Sequence, residues 1–421
     1  MVQHEGHNHS HDGHDHNAPG HTHLPAGTVD PVAHSTVDHK AGEKHDSHAF
    51  DPKSTAFHHI SDLNVYSIGP WNLPLPCILY APAKGWSFFS SGKFEIDNAH
   101  HGDGKKVIDG YVLNHGRVNR IAGNFPAGSF EVQGIAPKKV MIDGKEKEQD
   151  FVMIDQKEYP LEKPSTADAG LFGGGITSFY DFSITKNVFS MFLVVLLLSW
   201  AFISMANRYQ KQAGQAPSGA QLLFEPLILF IQDEVAKPFL GAKWEKFIPL
   251  LLAIFFFVLG LNLFGQIPFL GGSNVTGNLS VTMVLALIAF IVVNLNGNKH
   301  YWQHIFWMPG IPAWVKTILT PVEILGVFIK PLTLMLRLFA NITAGHMAIL
   351  IFISLIFIFG NSGESTGAGL GASIGSGLLT VFMMSIELLV ALIQAFVFTL
   401  LTASYIGAAT EEHAHAEHHH H

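Results

Sequence analysis

The second half of this chain is almost free of charge. Between Phe247 and Thr410 only seven side chains carry one: Lys299, Lys316, Glu323, Lys330, Arg337, Glu364 and Glu387. About a quarter of the residues of an ordinary soluble domain are charged, so this segment cannot supply a water-facing surface. Across all 421 residues the charged share is only 14%. A purely cytosolic enzyme is excluded, and four arginines in the whole chain argue against a nucleic-acid binder. The single cysteine, Cys77, excludes an internal disulfide and any Cys-rich metal site. The net charge of -8 sits mostly in the first half and identifies no partner.

Apolar runs mark the membrane spans. Val188 to Asn207 is the first, Phe247 to Phe264 the second and Val281 to Leu295 the third. Thr320 to Phe359 and Leu378 to Gly407 follow, each longer than the roughly 20 residues a crossing needs. At 1.5 Å per residue the first of these two reaches about 60 Å, yet it stays apolar throughout. It must therefore lie strongly tilted or kink, and Pro331 is a natural kink site. The fold expected is an all-α polytopic membrane protein of about five crossings, its two long, tilted helices forming a hairpin across a Gly-rich turn. Arg208, Lys211, Lys243, Lys246, Lys299 and Lys316 flank the spans on one side, and the loops around Gly271 to Ser280 and Gly360 to Gly377 hold no Lys or Arg. The positive-inside rule then puts the N-terminal region outside and the C-terminus in the cytoplasm. Residues 225 to 237 suit an amphipathic helix in the cytoplasmic interface.

The front of the chain has a different composition. Residues 1–50 hold twelve histidines among Gly, Asp, Ser and Asn, with too little apolar surface to offset chain entropy, and read as a disordered tail. Residues 51–175 read as a small, mostly β soluble module and linker. Short strand-like runs such as Tyr111-Val112-Leu113 and Phe130-Glu131-Val132 alternate with turn signals at Asp103-Gly104, Asp109-Gly110 and Asp143-Gly144. Residues 176–413 form the membrane domain and 414–421 a second His-rich tail. The N-terminus lacks the apolar stretch of a secretory signal, so either a signal has been removed or the first span inserts without one.

Arg337 is the informative residue. It stands in Leu334-Met335-Leu336-Arg337-Leu338-Phe339, far from both ends of its apolar run. Insertion scales charge about 2.5–3.5 kcal/mol for Arg at mid-membrane, so it should face a carboxylate or a water-filled cavity. Glu323, Lys330 and Arg337 are spaced by seven and share a helix face, with Asn341 one turn on. Thr320-Pro321-Val322-Glu323 also fits a capping box, which would make Glu323 a helix-start residue. Glu387 and Gln394 are likewise seven apart. Folding the hairpin about residue 368 brings His346 level with Glu387, and Arg337 roughly level with Gln394. An imidazole and a carboxylate in a membrane pocket suit a proton relay, because both titrate near neutral pH when perturbed.

These residues resemble subunit a of the F-type ATP synthase, the stator channel of the membrane sector. The most specific block runs from Lys330-Pro331-Leu332-Thr333 through Arg337 to Ala340-Asn341, followed by Ala344-Gly345-His346. Glu387 to Gln394-Ala395-Phe396 is the second block. The resemblance covers roughly residues 175 to 413. It implies that Arg337 is the essential arginine and that Gln394 faces it. It implies that His346 and Glu387 form the pair in the outer half-channel, and that Glu323 is the acid of the cytoplasmic half-channel. Asn341 completes the set of proton-translocation residues. Thr276 stands where several bacterial members carry Asp. The tail and the 51–165 module exceed the common core, as in the enlarged N-terminus of some Bacteroidota members.

The partners so implied are a ring of c subunits, b-type peripheral stalk subunits and the lipid of a bacterial inner membrane. No cofactor, metal or nucleic acid is expected, and without a P-loop motif no nucleotide is expected on this chain. The rival reading is a divalent metal-ion transporter with a His-rich sensing tail. It needs several His or Asp within the spans, but His346 is the only His well inside one and no Asp follows Asp233.

Overall fold

The computed structural model describes residues 61–68, 71–97, 102–142, 145–166, 175–211, 217–267, 273–308, 310–359 and 366–411. Both expected His-rich tails and the Asp143-Gly144 turn lie outside the described residues.

Among the described residues, fourteen strands precede the long helices: β1 (Val65–Ile68), β2 (Trp71–Pro74), β3 (Pro76–Ala81), β4 (Gly85–Ser90), β5 (Ile96–Asp97), β6 (Asp103–Gly104), β7 (Lys106–Ile108), β8 (Tyr111–Asn114), β9 (Arg117–Ile121), β10 (Ser129–Glu131), β11 (Gly134–Ile142), β12 (Lys145–Ile154), β13 (Lys157–Glu162) and β14 (Tyr180–Asp181). Seven form one sheet in the order β10-β7-β8-β9-β13-β12-β11, and β14-β3-β4 form another. Turn chemistry sets the register. Ile108 pairs with Tyr111 across Asp109-Gly110, and Asn114 pairs with Arg117 across His115-Gly116. All four turn residues have positive φ, as a two-residue hairpin turn matched to strand twist requires. Asp103-Gly104 departs from the turn expected of it. It is strand β6, paired with β5, and no chain reversal falls there. The core between the sheets is aromatic, with Tyr111, Phe94 and Phe179 fully buried.

The module is tied directly to the first membrane helix, α1 (Lys186–Lys211). Asp62 accepts hydrogen bonds from the Asn187 amide at 3.0 Å and the Thr185 hydroxyl at 2.9 Å. This carboxylate thus satisfies an orphan donor at the helix start and faces the positive end of its dipole. Tyr66 of β1 meets Phe189 edge-on at 5.1 Å. The first turn of α1 is therefore buried in the module, and its exposed apolar side chains begin at Phe192.

The remaining helices are α2 (Ala220–Phe230), α3 (Lys237–Leu240), α4 (Trp244–Gln266), α5 (Leu279–Leu295), α6 (Lys299–Phe306), α7 (Ala313–Phe359) and α8 (Thr366–Thr410), with a π turn at Ile231–Ala236. Among the described residues, four stretches are long and apolar enough to cross a membrane, and five if the bent pair α5 and α6, at 105°, counts as one span. The chain is thus a mostly helical, multi-pass membrane protein carrying a mostly β module. Helix α7 begins at Ala313, so Thr320 is an interior residue and the expected capping box does not form. The Thr320 hydroxyl instead reaches the Phe306 carbonyl at 3.4 Å. The 47 residues of α7 run through Pro321 and Pro331 as one helix. Near residues 225 to 237 the structure is amphipathic. Ile231, Val235 and Ala236 are buried, while exposed Asp233 pairs with Lys237.

Lipid is as apolar as a leucine side chain, so burying apolar surface alone does not hold such helices together. Close backbone approach at small residues does, and Ala286, Ala289, Ala395, Ala403 and Ala409 all lie in the shared core of α4, α5, α7 and α8. The C-terminal end of α8 is pinned by polar contacts. Lys243 and Asn298 donate to the Thr410 carbonyl at 3.0 and 2.8 Å, satisfying a carbonyl the helix leaves open. Gly407 packs closely against backbone, since a Cβ there would meet the Phe239 carbonyl oxygen at 2.1 Å. Gly407→Ala is expected to destabilise the helical domain by about 1–3 kcal/mol, as overpacking does. Gly326→Ala, where a Cβ meets nothing within 4 Å, should not. Thermal unfolding of the two variants in detergent checks the contrast, and equal midpoints would count against this packing.

Candidate functional site

Helices α7 and α8 pack against each other, and the Ser376 hydroxyl donates to the Phe352 carbonyl across that interface. The pairing brings His346 and Glu387 together. Nδ1 of His346 lies 3.3 Å from Oε1 of Glu387. Glu387 is buried and His346 only partly so. Which atom donates depends on the tautomer, so this contact can pass a proton either way.

Around the pair lies a narrow polar cavity, about the size of a single water. Leu261, Asn262, Gly265, Gln266, Ser273, Asn274, Thr276 and Ile342 complete its lining. Asn262 accepts from the Thr276 hydroxyl at 2.6 Å and donates to the Ala391 carbonyl at 3.3 Å. Among the described residues, Gln266 Nε2, Ser273 Oγ and Asn274 Nδ2 are buried without a protein partner. Buried polar groups are seldom left unpaired, so these three suit a water held in the cavity. Of the residues that line the cavity beside His346 and Glu387, sequence reasoning singled out only Thr276. The available signal was Asn262 and Gln266, one turn apart in an otherwise apolar span.

Arg337 stands elsewhere. On α7 the exposed positions include Leu332, Thr333, Leu336, Arg337, Ala340 and Asn341, while Leu334, Met335, Leu338 and Ile342 are buried. This is one helical stripe left exposed beside the buried positions. Arg337 therefore does not point into this chain's own interior. Among the described residues no side chain forms a hydrogen bond or ion pair with it. Gln394 is buried on α8, with Glu387 a further seven residues back on the same face, and is not hydrogen-bonded to Arg337. Lys330 lies on the exposed stripe with its ammonium 5.4 Å from the Tyr405 ring. Glu323 is half-buried and, among the described residues, has no ion-pair partner. The structure thus groups His346 with Glu387. It leaves Arg337 and Asn341 on an exposed face, with Glu323 about four turns before Arg337 along α7.

Fold and site together define a multi-pass membrane protein with titratable side chains inside its helical packing and a guanidinium on an exposed helix face. The ATP synthase A chain family matches residues 188–407, just over half of the chain. ATP synthase subunit a 2 of Chlorobaculum tepidum is 41% identical over 246 residues, 57% of this chain and 66% of the relative. ATP synthase subunit a 2 of Prosthecochloris aestuarii is 38% identical over 242 residues, 56% of this chain and 71% of the relative. ATP synthase subunit a of Myxococcus xanthus is 36% identical over 247 residues, 57% and 77% of the two chains. This chain therefore belongs to the ATP synthase A chain family. The rival reading as a metal-ion carrier finds no support among these relatives. Residues 55–143 separately match a domain family of unknown function, DUF8433.

Proposed function

We propose that this chain is the proton-translocating a subunit of a rotary F-type ATP synthase, and that Arg337 works against a carboxylate supplied by a neighbouring ring of c subunits. The observation that carries the reading is the position of Arg337. A guanidinium in an apolar span costs several kcal/mol unless it meets a counter-charge or water. It has no counter-charge in this chain among the described residues, and the stripe around it is exposed and carries no acidic side chain. A membrane-embedded carboxylate on another subunit meets both needs.

In this reading a proton enters from outside along Gln266, Asn274 and Asn262 and passes the His346–Glu387 pair. It then neutralises a ring carboxylate, which can move into lipid once uncharged. After nearly a full rotation the carboxylate gives up its proton toward the cytoplasm, through a half-channel on the Glu323 side. Arg337 stays charged at any working pH, so it favours the ionised carboxylate and cannot pass the proton itself. Gln394 and Asn341 flank this meeting point. Each charge crossing yields about 2.3 kcal/mol per 100 mV. At roughly 70 Å each by helical rise, α7 and α8 lie steeply tilted in the bilayer and so follow the curved ring. The N-terminal module lies outside a bacterial inner membrane and the C-terminus in the cytoplasm. Peripheral stalk subunits of the b type hold the chain against the torque of the ring.

The test is isolation through this chain, followed by reconstitution into vesicles. A ring of small apolar subunits should co-purify, and added ATP should acidify the vesicles. Isolation without the ring, or ATP hydrolysis with no acidification, contradicts the reading.

A further inference from the structure

The sheet β14-β3-β4 has its outer face the wrong way round for water. Strand β3 alternates, with Cys77, Leu79 and Ala81 buried in the core and Ile78 and Tyr80 turned outward. Strand β4 places Trp86 and Phe88 opposite Tyr80 and Ile78 on that same outer face. Tyr180 of β14 pairs with Tyr80, and Phe182 follows two residues on. An antiparallel sheet covered on one side normally shows polar residues on the other. Here the outer face holds no charged side chain and carries a continuous series of rings. Trp86 lies 5.0 Å from Tyr80, 5.9 Å from Phe88 and 5.6 Å from Phe182. Phe182 in turn lies 6.4 Å from Tyr180. Trp86, Phe88 and Phe182 are 55%, 69% and 57% exposed.

The patch lies close in the chain to the membrane span. Phe182 precedes the first residue of α1 by four positions, so chain geometry holds it within about 14 Å of the helix start. The exposed apolar surface of α1 begins at Phe192, roughly 9 Å along the helix. Trp and Tyr rings near a span end favour the headgroup level, where one part of the ring is apolar and the other wet.

We propose that the outer face of β14-β3-β4 rests on the bilayer interface, with Trp86, Phe88 and Phe182 inserted at the headgroup level, so that the module is a membrane-seated foot of the first span. The occupant is lipid. The uncharged face lacks the polar rim of a protein–protein contact, and only a few residues separate it in the chain from a helix long and apolar enough to cross a membrane. This seating fixes the direction in which α1 leaves the module and does not depend on the proton-channel reading.

The test uses the full chain in liposomes, with a single cysteine introduced by Trp86→Cys, Phe88→Cys, Phe182→Cys or, as a water-facing control on β11, Lys138→Cys. Each is labelled with an environment-sensitive fluorophore. Native Cys77 is only 1% exposed, and burial together with the Asp181 charge pushes its thiol up to about 12. It therefore stays unlabelled while the module is folded, and one label per chain certifies folding. Because the replaced side chains are exposed, at least one of the three positions will meet that standard. Labels at 86, 88 and 182 should be quenched at least threefold more by a nitroxide at a shallow acyl position than by aqueous iodide, with the order reversed at 138. Iodide quenching equal to that at 138 overturns the proposal. Protection from both quenchers also overturns it, because the face is then covered by protein.

Discussion

Arg337→Ala abolishes ATP synthesis by the assembled complex and opens a passive proton leak through its membrane sector. Both effects follow from the place of this residue on the open stripe of α7. With the guanidinium gone, the ring carboxylate has no counter-charge as it passes and re-enters lipid without having released its proton. A loss of about 3 kcal/mol at that step lowers the ionised population by roughly 150-fold. The electrostatic barrier between the two half-channels disappears as well, so protons cross without turning the ring. Arg337→Lys keeps a cation only while the ammonium stays protonated, and an apolar site favours its neutral form. That variant should therefore also fail to couple. Proton flux through the reconstituted membrane sector, read beside ATP synthesis under an imposed gradient, separates the two losses.

Glu387→Gln slows proton entry by on the order of 10–100-fold, at or below the range of a positioned proton-transfer group. The amide keeps the shape and much of the hydrogen bonding but cannot titrate. The pair spans 3.3 Å between α7 and α8. Exchanging the two residues, with His346→Glu and Glu387→His together, leaves one acid and one imidazole across the same gap and should restore part of the rate. A static buried bridge predicts otherwise: Glu387→Gln would lower the unfolding midpoint and leave pumping within about twofold. Initial rates of ATP-driven acidification across a pH series distinguish these outcomes.

Much of the membrane half was legible because lipid imposes long apolar runs and makes every polar exception conspicuous. The spacing of Glu387 and Gln394 and the position of His346 could be counted along helices of known rise. What could not be counted was which face of each helix its neighbours cover. Arg337 looked internal because its chain neighbours are apolar, yet those at Leu334, Leu338 and Ile342 are buried while Arg337 is not. Nor could periodicity show that Asn262, Ser273 and Asn274 converge on Glu387, since their meeting depends on how the segment before α5 folds back over α4. The helix start at Ala313 was missed because Pro321 and Thr320 imitate a helix N-terminus, and packing within the membrane overrode that local signal. In the module, Asp109-Gly110 acted as the turn its chemistry suggests. Asp103-Gly104, with the same chemistry, was drawn into a strand by its pairing with β5.

The central claim, that the open face of α7 around Arg337 meets a ring of carboxylate-bearing helices, is tested most directly by disulfide mapping. Cysteines are placed one at a time along α7, against a cysteine beside the ion-binding carboxylate of the ring subunit, in the assembled complex. Cys77 is buried and takes no part. Crosslinks are expected from the exposed positions Leu332, Leu336 and Ala340, and none from the buried positions Leu334, Leu338 and Ile342. Crosslinking with no such face pattern, or only from the buried set, would contradict the account.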